Sequence, residues 1–180
     1  MDVPAVVSLH AFGDPTGAMG RVAYDLGNVY KSAGVLMPNS SLLFWTLQRD
    51  FAREMATRMD GTVDYVSPLA AIDKAMAPIA TVRMQRPDAA LILAEFENTA
   101  RMLRHACRRG QLIYGDGETE SPPTKQVLDD DLRDIIYEYE RIWLARNRPG
   151  GLRESVGRLQ SARLDYRPEA AERNLPHTDA

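Results

Sequence analysis

The chain has 180 residues, of which 44% are hydrophobic, and a formal charge of −3 at pH 7. That length and apolar content suit one domain with a sizeable core and exclude disorder of the whole chain. The acidic balance, 22 Lys and Arg against 25 Asp and Glu with no polybasic run, argues against nucleic acid or an anionic membrane as partner.

Residues 1–7, Met-Asp-Val-Pro-Ala-Val-Val, form too short an apolar run for a signal peptide and lack a basic leader, and no later stretch approaches a bilayer span. A cytoplasmic location is the expectation. Residues 3–12 have β-type composition, yet a single strand cannot make a sheet, so 1–13 reads as a strand-like or irregular leading segment, cut from a larger fold or loosely packed. Asp14-Pro15 then offers a cap with proline in the first turn. Met19, Val22, Leu26, Val29 and Ala33 follow at helical spacing up to a stop at Gly34. Gly20 and Gly27 share one face of this helix and predict a close helix crossing.

Asn39-Ser40-Ser41 has the form of a glycosylation site, but Ser40 reads better as a helix start, with Leu43, Leu47, Phe51 and Met55 spacing the helix that follows. Ser67-Pro68 opens another, carrying Leu69, Ile72, Met76 and Ile79, which Pro78 should kink or end. Pro87 opens a longer one, with Ile92, Phe96, Ala100, Leu103 and Cys107 repeating over about 22 residues, roughly 33 Å, to an expected stop at Gly110. Cys107, the only cysteine, is placed by that stripe in the core; alone, it excludes an intrachain disulfide and a thiolate metal cluster.

Residues 115–123 are polar and rich in helix breakers, and predict an exposed, mobile loop. Leu128, Leu132, Ile135, Tyr139, Ile142 and Trp143 form the stripe of the next helix, and Leu152, Val156, Leu159 and Tyr166 that of the last. The fold class is therefore all-α: an antiparallel bundle of about five or six helices over 14–167, with 168–180 a disordered tail.

No motif for catalysis, metal or cofactor accompanies this pattern. Asp130, Asp134 and Glu138 fall on one solvent-facing ridge, suited to water or arginine partners rather than acid–base work. The inward Glu-x-x-His pairs of a di-iron bundle are missing, and 116–120 lacks the ligand spacing of a calcium loop. His105 lies beside Arg104 and Arg108 with no ligand partner at metal spacing, and reads as a surface or half-buried structural histidine; His10 and His177 lie near the ends. Ser155 has no nucleophile elbow, and Gly13–Gly17 lacks the lysine of a phosphate loop. Trp45, Trp143 and Tyr139 lie on or beside apolar stripes and read as core; Tyr137 is off-stripe.

The most distinctive feature is the corner Trp143-Leu-Ala-Arg-Asn-Arg-Pro-Gly-Gly-Leu152. Asn147 can end the helix in the left-handed conformation, and Pro149 drives Arg148 extended. Arg146, Asn147 and Arg148 are thereby displayed at a rigid turn, where two guanidinium forks suit the carboxylates or carbonyls of a partner. Seven arginines from Arg141 to Arg167 crowd the C-terminal third, and Asp129, Asp130, Asp131 and Asp134 crowd the stretch before them, which predicts internal or subunit pairing.

This corner, in the context Tyr-Glu-Tyr-Glu-Arg-Ile-Trp-Leu-Ala-Arg-Asn-Arg-Pro-Gly-Gly-Leu-Arg-Glu-Ser with Leu159 and Tyr166 beyond it, resembles the C-terminal helical region of bacterial family 20 glycoside hydrolases, the β-N-acetylhexosaminidase-like proteins; Asp25-Leu-Gly-Asn-Val-Tyr30 is similar to the helix entering that region. The similarity spans roughly residues 13 to 167, with its specific part at Trp143–Leu152. That family's catalytic unit is a (β/α)8 barrel with an Asp-Glu pair, which this chain lacks. The resemblance implies a non-catalytic accessory domain that packs on the catalytic barrel domain or forms a dimer contact with a second copy of itself. The alternative is an independent helical protein-interaction module using the arginine-rich C-terminal helices.

Overall fold

A computed structural model describes residues 1–37, 40–48, 63–114 and 123–167. The expected loop around 115–122, the tail from Pro168, and the stripe positions Phe51 and Met55 lie outside the described residues. Within them the fold is all-α: seven α-helices with short 3-10 turns and no strand. No described helix is long and apolar enough to cross a membrane.

The first departure from expectation is at the N-terminus, where residues 3–12 are helical. In α1 (Val3–Phe12) Asp2 caps the start by accepting from the Ala5 N–H at 3.3 Å, Pro4 sits in the first turn, and Gly13 closes the end at φ 62°. Caps at both ends and packing on α2 (Ala18–Gly27) override the β preference of the valines. The crossing expected of Gly20 is real: a Cβ there would stand 1.9 Å from the Pro4 carbonyl oxygen. Gly27 meets nothing within 4 Å.

Asp14 is no simple cap. Its enclosed carboxylate accepts from the N–H groups of Thr16, Met19 and Arg83 and from the hydroxyls of Ser8 and Thr16, so α2 begins only after Gly17. Burial opposes ionisation, but these donors outweigh it and bring the carboxyl down to about 2.

A 3-10 turn, Val29–Ala33, carries α2 to Gly34, which stops it at φ 77°. The cap of α3 (Leu42–Leu47) is Ser41, one residue later than expected, since Ser40 takes a positive φ. Helix α4 (Ser67–Met76) starts where the Asp64 carboxylate accepts from the Val66 and Ser67 N–H groups, and it tightens into a 3-10 turn, Ala77–Thr81, at Pro78. Helix α5 (Ala89–Tyr114) passes straight through Gly110. The expected stop is instead a packing glycine: a Cβ there would meet the Tyr65 ring at 2.5 Å.

Helix α6 (Lys125–Arg146), capped by Thr124, and α7 (Leu152–Arg163), followed by a 3-10 turn at Leu164–Tyr166, complete the described fold. Pairing of Glu95 with Arg146 and of Arg101 with Asp131 makes α5 and α6 antiparallel; Asp129 with Arg163 does the same for α6 and α7. Two apolar clusters result. Met19, Val22, Leu43, Tyr65, Ile72, Ala100 and Cys107 belong to one, and Leu128, Leu132, Ile135, Val156, Leu159 and Tyr166 to the other. Helix α5 is their shared wall, packing Met102 and Leu112 on the second. Cys107 is fully buried, and burial pushes its thiol up to about 12, so it is an inert core group.

Candidate partner site at the α5–α6 groove and the Arg-Asn-Arg corner

Helix α6 ends because Pro149 has no N–H and forces the residue before it out of helical geometry. Asn147 caps the end in extended conformation, φ −120° and ψ 163°, with its N–H on the Trp143 carbonyl at 2.7 Å. The left-handed conformation expected of Asn147 falls instead to Gly151, φ 82°, whose carbonyl accepts from the Ser155 N–H in the first turn of α7. Trp143 fastens the corner from inside, donating its indole N–H to the Arg148 carbonyl at 2.9 Å.

The three candidate residues separate in role. Arg146 forks onto Glu95 at 2.6 and 3.2 Å and reaches Asp88 at 3.3 Å, so its two-pronged pairing is already made with the start of α5. Those carboxylates hold its guanidinium above the usual range, while Arg86, with Arg146 behind it, holds Asp88 below its own. Asn147 is exposed, with its side chain beside a groove. Arg148 is exposed, with no side-chain hydrogen bond or ion pair among the described residues. The expected pair of free arginines reduces to this one.

The groove runs between α5 and α6 and has a volume of about 150 Å³. Asn98, Thr99 and Met102 contribute from α5; Tyr139, Ile142 and Trp143 from α6. Glu95 and Asn147 complete the lining, which ties it to the corner. The Tyr139 and Trp143 rings stand 5.9 Å apart at 38°. Both are half-buried: Tyr139 packs on the second apolar cluster, as its spacing predicts, while Trp143 is a wall residue rather than a core one; Trp45 is half-buried too, and Tyr137 is exposed.

The acidic ridge is as expected: Asp130 pairs with Arg133, Asp134 with Arg101 and Arg133, and Glu138 with Arg141. Its neighbour Asp131 faces inward and belongs to a network that sequence reading missed. His105 is fully enclosed rather than at the surface, with Nδ1 2.9 Å from the Asp131 carboxylate and Nε2 2.8 Å from the Tyr166 hydroxyl. Arg101 holds the other Asp131 oxygen at 2.9 Å. Burial raises the Asp131 carboxyl, but His105 and Arg101 outweigh it and keep it below the usual carboxylate range.

One helical turn on, Arg109 donates to the Asp165 carboxylate at 2.6 Å and to the Thr46 carbonyl, and the Thr46 hydroxyl meets the Tyr65 hydroxyl at 2.9 Å. Burial holds the Tyr166 hydroxyl protonated, well above the usual tyrosine range. An Asp–His–Tyr chain orients a proton, yet here the imidazole is sealed between α5, α6 and the 3-10 turn after α7. It acts as a staple joining the two clusters. The signal was Arg101, His105 and Arg109 at spacings of four, one face of α5, whereas Arg104 and Arg108 are neighbours only along the chain.

Among the described residues no group of three His, Cys, Asp or Glu side chains is placed to hold a metal. Comparison with protein-family models, curated proteins and solved structures finds no match for this chain.

Proposed function

We propose that this chain is a helical binding module whose partner seats on the α5–α6 groove and the adjoining Arg146–Gly151 corner. One observation carries the reading: a half-apolar groove, walled by Tyr139 and Trp143, opens beside a corner held rigid by the Arg146–Glu95 fork and presenting the uncommitted guanidinium of Arg148. Aromatic and arginine anchors beside a preformed recess are the usual centre of a protein interface. A displayed peptide library selected against the immobilised chain tests it. The expected outcome is a family of acidic, aromatic peptides that lose about tenfold in affinity, ~1.4 kcal/mol, when Arg148→Glu reverses the charge. Peptides indifferent to that change, or none at all, would remove the corner from the interface.

The second reading is the accessory domain of a β-N-acetylhexosaminidase-like glycoside hydrolase, packed on its barrel or paired with another copy. Its support is the corner resemblance together with the outward face of α1, where Val3, Val6 and Leu9 are 49%, 42% and 53% exposed. An exposed apolar arc of three such side chains on one helix suits a covering partner.

A further inference from the structure

The groove has a chemical preference that the binding-module reading does not specify. Asn98 is 5% exposed, and its carboxamide Nδ2 donates to the Ile135 carbonyl at 3.4 Å while Oδ1 has no hydrogen-bond partner. A buried acceptor left unmade is costly, and a donor at 3.4 Å restrains the carboxamide weakly, so it can turn to meet a donor arriving in the groove. The neighbouring Thr99 hydroxyl is already committed to the Glu95 carbonyl at 2.7 Å. Asn147 and Tyr139 add polar groups to the lining, but the one buried group left unmet in the wall is an acceptor.

The other surfaces narrow the occupant further. About 150 Å³ in an open groove is on the scale of a recess that takes an aromatic side chain. Tyr139 and Trp143 present ring surface, and Met102 a thioether that packs well on aromatic edges. Arg146 neutralises Glu95 at the margin, so no net charge there calls for a charged guest. An indole donates one hydrogen bond and accepts none, which matches that single buried acceptor.

Resting on the binding-module reading, we propose that this groove receives one tryptophan side chain of a partner protein, its indole N–H bonded to Asn98 Oδ1. The test titrates the full chain with N-acetyl-tryptophanamide and with its 1-methylindole counterpart, following methyl resonances by nuclear magnetic resonance. Saturable shifts at Met102 and Ile142 are expected, with the methylated probe about tenfold weaker. In Asn98→Leu the two probes should bind alike; the comparison on the unaltered chain stands whether or not that variant folds.

No saturable shift at the groove, equal binding of the two probes, or stronger binding of N-acetylglucosamine at the same methyls overturns the indole assignment. Selected peptides that depend on Arg148 while the probe leaves the groove untouched defeat this inference and leave the module intact. Probe binding with no selectable peptide overturns the protein source instead, leaving a site for a small indole.

Discussion

Asp14 shows how much one carboxylate organises here. Its oxygens draw donors from Ser8, from the turn before α2 and, 69 residues along, from Arg83, so they join α1, α2 and the segment entering α5. Because its pKa falls from 3.8 to about 2, the stability it contributes is complete above pH 3.8 and is lost as pH drops through 2. A shift of that size corresponds to roughly 2 kcal/mol. Urea unfolding at pH 5 and pH 2 should show the loss in the natural chain. Asp14→Asn, which cannot ionise, should be less stable at pH 5 and should lack this part of the acid dependence; parallel profiles for the two would deny Asp14 the role.

At the scale of helices, close approach is set by single glycines, and two on α2 should respond oppositely. Gly20→Ala drives a Cβ into the backbone of α1 and should destabilise by roughly 1–3 kcal/mol or more, because no flexible side chain is there to yield. Gly27→Ala enters open space and should gain up to about 1 kcal/mol from helix propensity. Chemical denaturation of both variants decides it: equal shifts would mean that α1 does not lie on Gly20. The same logic makes α5 continuous through Gly110, which gives Tyr65 its seat and lets one helix wall both clusters.

For the whole molecule, the outward face of α1 leaves three large apolar side chains exposed on one helix. Its exposed Val3, Val6 and Leu9 share one arc, with His10 the polar residue among them. Under the accessory-domain reading this face is covered, so the chain should form dimers or larger species in analytical ultracentrifugation, and Leu9→Glu should shift it toward monomer. A monomer at high concentration, unchanged by Leu9→Glu, would leave that face without a second copy as its cover.

Much of this architecture is determined by local sequence. Apolar residues at steps of three and four mark α2, α5, α6 and α7, and Pro78, Pro149 and Gly34 interrupt the chain where proline geometry and a left-handed stop require. The core position of Cys107 follows from the same periodicity, and the corner at Arg146–Gly151 from its proline and glycines. Tertiary packing decided the rest. Residues 3–12 became helical because caps and the groove over Gly20 outweighed valine's β preference, and Gly110 stayed within a helix because a ring from elsewhere fills its missing side chain. His105 became a staple, and Arg146 a clamp rather than a free fork, because their partners lie 26 and 51 residues away. The groove beside Asn98 belongs to neither helix alone, so no spacing along either one could announce it: a recess and its unmet acceptor exist only once α5 and α6 lie side by side.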